Sequence, residues 1–423
     1  MTILRIAYLT GEYPRATDTF IQREVAALRR QGVEVHTFSV RRTSAEHIVG
    51  PEQEGERKET FYLLPPSPLR ILREHMALFL RWPARYLRAL ALAWSTRQPG
   101  IRGHLYQLFY LAEAGLLAGE LRRREIGHLH NHFANSSCSV SMLAAELGGL
   151  SFSFTIHGPA IFFEPRRWRI DEKIRRALFV ICISQYCRSQ AMVFAPVDCW
   201  ERMHIVHCGV DPSLFDMTSH QGPGQRLLYV GRLAAMKGLP ILMESLASLR
   251  SRYPDLVLTV VGGGPERSAL EDQAARLGVG KNVRFVGYRS QAEVRDEMQE
   301  ADVFVLPSFA EGVPVVLMEA MASGVPVVAT GIAGVAELVE DGVSGYLVSP
   351  GDPIPLVEAV EKLIEDPALR SRFGAAGRAR VEKEFDVRRE AASLRSIFTT
   401  ALAGERGGEI RPAAEPSRES AGG

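Results

Sequence analysis

Apolar runs of strand length alternate with helical patterns almost throughout this chain, and the alternation dissolves once, at residues 211–225, into Asp-Pro, Ser, Gly-Pro-Gly and Gln. Repetition of that kind specifies parallel sheets with helices on both faces, because each buried strand needs a crossover to reach its parallel neighbour. The first stretch predicts strands over 3–9, 33–40, 127–130, 152–156 and 180–183. A helix over 19–30 carries Phe20, Val25, Ala27 and Leu28 as its apolar positions and stops at Gly32. The second stretch predicts strands over 226–230, 256–261, 283–286, 303–306, 326–329 and 346–348, with helices over 239–251, 266–277, 291–300 and 314–322. The expected fold class is α/β, with two doubly wound Rossmann-like domains facing each other across a cleft. Their expected bounds are 1–210, a linker over 211–225, and 226–403 with closing C-terminal helices. With 423 residues, 46% of them apolar, each domain can bury its own core. Residues 404–423, rich in Gly, Glu, Arg, Pro and Ser, are expected to form a disordered tail.

Charge and cysteine usage narrow the partners. Lys and Arg total 50 against 49 for Asp and Glu, so no net field draws the chain to nucleic acid. The five cysteines, Cys138, Cys182, Cys187, Cys199 and Cys208, are odd in number and lack Cys-x-x-Cys spacing. That points away from a disulfide framework or a zinc site and toward a reducing cytoplasm. The first apolar run is too short for a signal peptide and reads as a buried strand, and no window offers the roughly 18 apolar residues of a membrane span.

One stretch departs from the alternation. Residues 66–104 hold seven arginines (Arg70, Arg73, Arg81, Arg85, Arg88, Arg97 and Arg102) against one acid, Glu74, interleaved with Leu, Trp, Phe and Tyr. After Pro83 a helix places Ala84, Leu87, Ala91 and Trp94 on one stripe with Arg85 and Arg88 beside it, the pattern of a basic amphipathic surface helix. The stripe either packs on the domain with its arginines solvated, or faces a membrane or a lipid acceptor.

Two glutamates, Glu311 and Glu319, flank seven residues that follow the strand at 303–306. The segment reads as strand, turn and helix start, where outward backbone N–H groups favour an anion. Eight helical residues rise about 12 Å, too far for the paired carboxylates of a glycosidase, which stand about 5 to 9.5 Å apart. Such a pair suits the two ends of one ligand with phosphates between them, the shape of a nucleoside-diphosphate sugar. Gly231-Arg232 ends an earlier strand and Lys237-Gly238 precedes the next helix, which brings two cations to the mouth of the cleft. Val261-Gly262-Gly263-Gly264-Pro265 closes another strand, but the third glycine of a dinucleotide fingerprint falls on Arg267, which disfavours a nicotinamide dehydrogenase. These glycines, and Thr330-Gly331-Ile332-Ala333-Gly334, either lend backbone donors to a nucleotide or simply turn the chain.

Taken in order, these pieces resemble the nucleotide-binding domain of the retaining glycosyltransferases of family four, which have the GT-B fold. The series is Gly231-Arg232 with Lys237-Gly238, then Val261-Gly262-Gly263-Gly264-Pro265 and Val283-Arg284-Phe285-Val286-Gly287. It continues with Pro307-Ser308-Phe309-Ala310-Glu311-Gly312, the run at 319–330, and Gly345-Tyr346-Leu347-Val348. The resemblance implies that Arg232 and Lys237, beside Gly231, bind the donor pyrophosphate and that Glu319 holds the ribose. It places Glu311, with backbone at Gly312 and Val315, on the transferred sugar, and Val286 to Arg289 along the base. In the first half His157, in Thr155-Ile156-His157-Gly158, stands where the family keeps a cleft histidine that touches the donor sugar, and Gly209-Val210-Asp211 matches the segment before the linker. A Gly-Gly loop that approaches the phosphate in many members is replaced by Thr10-Gly11-Glu12-Tyr13-Pro14, which leaves only Gly11. That version, with His130-Asn131-His132-Phe133-Ala134, resembles the branch that builds exopolysaccharide, colanic-acid-type and lipopolysaccharide chains. His130 and His132 are expected on opposite faces of their strand, so no metal pair is expected of them, and His132 is a candidate for touching substrate.

The resemblance therefore implies a retaining hexosyltransferase, cytoplasmic or peripheral at the inner face of the cell membrane. It would move a hexose from a UDP- or GDP-sugar donor to a hydroxyl of a growing glycan or lipid-linked glycan. Glu311, His157, Arg232 and Lys237 form the expected catalytic set. The chain has no Asp-x-Asp motif, so neither a metal nor a further cofactor is expected. A nucleotide-sugar epimerase and a non-catalytic sugar-nucleotide-binding protein are the alternatives.

Overall fold

The structure is a computed structural model and describes residues 4–217 and 222–404. Part of the expected linker, 218–221, and nearly all of the expected disordered tail, 405–423, lie outside the described residues. In the first half β1 (Arg5–Glu12), β2 (Glu34–Arg41), β3 (Phe61–Tyr62), β4 (His128–His132), β5 (Ser151–Ile156), β6 (Val180–Cys182) and β7 (Met203–Ile205) form one sheet, ordered β3-β2-β1-β4-β5-β6-β7. In the second half β8 (Arg226–Val230), β9 (Val257–Val261), β10 (Val283–Gly287), β11 (Val303–Leu306), β12 (Val327–Thr330) and β13 (Gly345–Val348) are ordered β10-β9-β8-β11-β12-β13. The pairs are parallel, as at β1/β4 and β8/β11, where the strand order reverses. These two reversals are the switch points at which open α/β sheets bind ligands.

Burial explains the pattern in the sequence. Ile6 to Leu9 of β1 and Val303 to Leu306 of β11 are at most 1% exposed. A strand covered on both faces reads as a continuous apolar run rather than an alternation. The expected strands all form within a few residues, and helix α1 spans Thr19–Arg30 as expected. The edge strands β3 and β7 are additions, two and three residues long.

The crossover from β2 to β4 carries α2 (Pro51–Glu59), α3 (Pro68–Arg81), α4 (Pro83–Thr96) and α5 (Ile101–Arg123). Glu74 of α3 is buried and takes ion pairs from Arg73 (3.1 Å) and Arg123 (2.8 Å), which ties α3 to α5. α4 buries Ala89, Leu92 and Ala93. The stripe Ala84, Leu87, Ala91, Trp94 lies away from that face and is exposed, so it does not pack on the domain. Leu69, Leu72, Met76, Phe79 and Leu80 of α3 are exposed as well. Among the described residues no helix is long and apolar enough to cross a membrane.

The end of the chain departs from the expected division. Helix Val387–Leu402, assigned above to the second domain, buries Val387, Ala391, Leu394, Ile397 and Phe398. That stripe packs with Ile6, Tyr8, Val25, Leu28 and Phe179 in a core of the first domain. The chain returns beside the linker: Val210 N–H donates to the Phe385 carbonyl (3.0 Å) and Val387 N–H donates to the Val210 carbonyl (2.9 Å). A side chain at Gly209 would stand 2.5 Å from Val387 Cα, so only glycine lets the two crossings lie side by side. That contact gives Gly209-Val210-Asp211 its architectural role.

Candidate active site

Between the sheets lies a cleft of about 860 Å³, lined on the C-terminal side by Gly231, Arg232, Lys237, Glu311, Gly312, Val315 and Glu319, with His157 on the other wall. Of the expected site residues, Val286 does not line it. It sits within β10, and the chain reaches the cleft only after that strand ends at Gly287, through Tyr288 and Arg289.

The expected cations and acids are already in contact. Lys237 Nζ lies 2.6 Å from Glu311 Oε1, and the Ser308 hydroxyl donates to the same oxygen at 2.6 Å. Glu311 is 8% exposed, so its charge depends on these partners. The helix that follows starts at Val315, not at Glu311, so the two glutamates are joined by a loop and a single helical turn rather than by two turns of helix. Its first two residues, Val315 and Val316, line the cleft, and their backbone N–H groups lack intrahelical partners. Arg232 is exposed, and its side chain makes no bond or ion pair among the described residues, which leaves it free for a ligand.

Glu319 is held from the other domain. Arg23 of α1 reaches across the cleft, donates to Glu319 Oε1 at 2.5 Å and to Gln291 Oε1 at 3.0 Å, and both partners of the ion pair are largely buried. Nothing local to Arg23 signals this role, because the two residues are 296 positions apart. On the same wall Gly11 has open space where a side chain would stand, while Arg15 and Arg23 bring cations to the cleft.

The two domain backbones also approach each other at His157 and Gly312. A side chain at Gly312 would stand 2.3 Å from the His157 carbonyl oxygen, so glycine is required for the approach. The His157 ring turns inward, with Nε2 2.7 Å from His132 Nδ1 and Nδ1 3.6 Å from Cys208 Sγ. Burial, reinforced by His132, holds its pKa well below the ordinary histidine value, so the ring is neutral. His132 is fully buried and supports His157 rather than reaching the cleft.

The expectation that His130 and His132 face opposite sides is corrected here. Alternate residues of a strand share a face, and His128, His130 and His132 stand in one file. His128 bonds the hydroxyls of Ser151 and Ser153, and His130 those of Ser153 and Thr155, at 2.7–2.9 Å. These are β4/β5 register partners, so the polar strand is satisfied across the sheet. Glu24, His130 and His132 bring ligand-type atoms within 4.8 Å of one another, but both nitrogens of His130 are engaged by hydroxyls.

The two glycine turns differ in role. Gly262 lines the cleft, yet its loop is laid against the preceding one, with Gly231 N–H bonded to Val261 O (2.9 Å) and Leu233 N–H to Gly263 O (3.0 Å). Gly334 N–H bonds the Gly312 carbonyl, and Glu337, three residues on, accepts the backbone N–H groups of Gln185 and Tyr186 at 2.7 Å. Its carboxylate therefore caps a helix of the opposite domain.

Comparison with known proteins follows the same division. The family model "Glycosyltransferase Family 4" matches residues 18–214, and "Glycosyl transferases group 1" matches residues 214–380. The putative colanic acid biosynthesis glycosyltransferase WcaL of Salmonella typhimurium is 27% identical over 92% of this chain and 99% of its own. A glycogen synthase of Mycobacterium tuberculosis is 34% identical over 48% of this chain. The amylovoran biosynthesis glycosyltransferase AmsK of Erwinia amylovora is 34% identical over 44% of it. The chain spans about half the length of these last two, 49% and 48%. Among solved structures, the sucrose-phosphate synthase of Thermosynechococcus elongatus superposes with a TM-score of 0.75 at 20% identity, covering 95% of this chain and all of that one. Anabaena Alr3699/HepE, solved with UDP and glucose, superposes at 0.71 with 19% identity over 94% of this chain and all of that one. These likenesses show the GT-B fold. No epimerase stands among these relatives, and with each half matched by its own glycosyltransferase model and the WcaL alignment running nearly end to end, the chain belongs to the group 1 and Family 4 glycosyltransferases.

Proposed function

We propose that this glycosyltransferase moves a hexose from a UDP- or GDP-sugar to a hydroxyl of a growing polysaccharide, with retention of configuration and without a metal. The observation that carries the reading is the free Arg232 beside the Lys237–Glu311 pair at one helix start. The two cations offset the charge that builds on the departing diphosphate, and the helix N-terminus adds backbone donors. Glu319, once released by Arg23, takes the ribose hydroxyls, while Glu311 and the Gly312 backbone orient the sugar. The bond from the anomeric carbon to phosphate breaks as the acceptor oxygen attaches on the same face, and the acceptor's proton passes to the departing phosphate oxygen. The names of WcaL and AmsK support a polysaccharide as product. The exposed apolar stripes of α3 and α4, set among arginines, support a peripheral seat on the anionic inner face of the cell membrane.

Thermal unfolding with UDP-, GDP- and ADP-sugars tests the donor. A ligand at 100 times its Kd stabilises by about 2.7 kcal/mol, and Lys237→Ala or Glu319→Ala should abolish that shift. A shift that persists in both variants places the donor elsewhere. Turnover that survives EDTA supports the metal-free step, and turnover abolished by EDTA refutes it.

A further inference from the structure

The N-terminal wall of the cleft contains a carboxylate that the donor reading does not use. Glu113 of α5 lines the cleft, is 8% exposed, and makes no hydrogen bond or ion pair among the described residues. A nearly buried carboxylate without a partner is costly, and this one is spared only by a shifted titration. Burial pushes it up to about 7 against the pull of Arg41, its one charged neighbour of note.

Its surroundings suit a sugar ring. Tyr110, one turn before it on α5, and Trp168, from the segment after β5, also line the cleft. Aromatic faces beside a carboxylate offer apolar contact for the C–H face of a pyranose and an acceptor for its hydroxyls. The file continues outward along α5. Tyr106 stacks on Tyr110 with ring centres 6.5 Å apart, and Leu105, Tyr106, Leu108 and Phe109 are each 48–62% exposed. Residues three and four apart share a helix face, so Leu105, Phe109 and Glu113 form one track from open surface to cleft wall.

We propose that Glu113 and Tyr110 form the acceptor subsite and that the acceptor is an amphipathic saccharide, its sugar hydroxyl donating to Glu113 and its apolar tail lying along Leu105 and Phe109. This rests on the donor reading above, because it assigns the opposite wall of the same cleft. The one occupant consistent with the track is a molecule polar at the cleft end and apolar along the helix; a free polysaccharide would leave Leu105 and Phe109 without a contact.

The test uses the full chain with UDP- or GDP-sugar bound and, as probes, octyl glucoside, octyl galactoside and octyl mannoside below their micelle concentrations, each against its free hexose. Calorimetry at pH 8 reads the affinities. At least one octyl glycoside should bind about 10-fold or more tightly than its hexose, since the buried chain has several methylenes. Glu113→Gln should weaken that glycoside about 10-fold, the scale of losing a hydrogen bond to a charged group. The pair Leu105→Ser and Phe109→Ser should remove the advantage of the octyl chain. Stabilisation by the donor should persist in both variants, which shows that they are folded. Absence of binding by all three glycosides, equal affinity for glycoside and hexose, or an unchanged Glu113→Gln each overturns the proposal. Loss of donor stabilisation in the unaltered protein overturns the donor reading instead, so the two failures are distinct.

Discussion

His132 Nδ1 lies 2.7 Å from His157 Nε2, and this bond decides what His157 can offer the cleft. Burial raises the Cys208 thiol far above its ordinary value, so it stays protonated and donates to His157 Nδ1. His157 Nε2–H then donates to His132 Nδ1, which leaves the proton of His132 on Nε2, a buried atom with no hydrogen-bond partner whose nearest acid is Glu24, with Oε1 3.4 Å away. Glu24 accepts the Tyr8 hydroxyl at 2.7 Å. The donors thus run in one direction, from Cys208 through His157 to His132, toward the charge of Glu24. His157 lines the cleft while both of its ring nitrogens serve to hold it.

The first prediction follows from that order. His132→Asn keeps a polar side chain but breaks the hold on His157, and kcat should fall about 10- to 100-fold, the cost of misplacing a group near the reacting atoms. Donor KM should change far less, because His157 contributes no nitrogen to the donor. Cys208→Ser keeps a donor to Nδ1 and should stay near the parent rate. Release of nucleoside diphosphate from the stabilising donor is the measurement, and an unchanged kcat in His132→Asn sinks the relay.

Arg23 and Glu319 give the second. The guanidinium occupies the carboxylate proposed above for the ribose, so a donor bound in that way would have to displace it. Arg23→Ala removes the competitor and should tighten donor binding about 3- to 10-fold, the scale of an ion pair worth about 1 kcal/mol. Weaker binding in Arg23→Ala would mean that Arg23 moves onto the phosphates instead.

Lys237 and Glu311 separate stability from binding. Lys237→Ala strands a buried carboxylate and should lower stability by about 1 to 3 kcal/mol while donor affinity is lost. Adding Glu311→Gln removes the stranded charge, so the double variant should recover stability in urea unfolding and still fail to bind donor. Recovery of both would make the pair structural only.

The exposed stripes of α3 and α4 carry the membrane prediction. Sedimentation with vesicles containing anionic lipid should pull the protein down, and 1 M salt should release much of it, as the screening length falls from about 10 Å at 0.1 M to about 3 Å. Leu87→Ser with Trp94→Ser removes two side chains that are 58% and 63% exposed, so it should lower partitioning about 10-fold or more without unfolding the chain. Equal partitioning onto neutral vesicles would mean that the arginines play no part.

What was legible in the sequence is what local physics controls. β1, β8 and β11 are buried on both faces, so their apolar runs stand out; Arg232, Lys237 and Glu311 sit in loops that follow strands and Glu319 in the helix after one, and topology brings all four to one cleft. β3 and β7 are too short to show a period. The stripe of Val387–Leu402 announces a buried helix, but a stripe does not say which sheet it meets, and the helix went to the first domain. Arg23 could not be read because its partner is 296 residues away; on β4 the two-residue period of a strand puts His130 and His132 on one face, while the hydroxyls of β5 that satisfy His130 are not local to it in the sequence.

Glu390 supplies a pH dependence that reports on that last helix. Its carboxylate accepts the His207 backbone N–H at 2.7 Å, joining the helix to the end of the first domain. Burial pushes its pKa up to about 7; the His207 bond pulls down, and the charges of Glu24 and Asp386 push further up. In the unfolded chain the group returns to an ordinary glutamate value near 4.5. Between these values the folded state holds more protons than the unfolded state, so stability falls as pH rises. The contribution is fully present below about 4.5 and lost as pH passes about 7. Because the residue is only partly shielded from solvent, the loss should be about 1 to 2 kcal/mol rather than the full linkage value. Glu390→Gln keeps an acceptor for His207 and cannot ionise, so it should be the more stable protein at pH 8 and lose that advantage at pH 5. Glu113 titrates in the same window with the same sign, so the quantity to compare is parent minus variant across urea unfolding at pH 5 and pH 8. A difference that does not change with pH would show that Glu390 is not buried against His207.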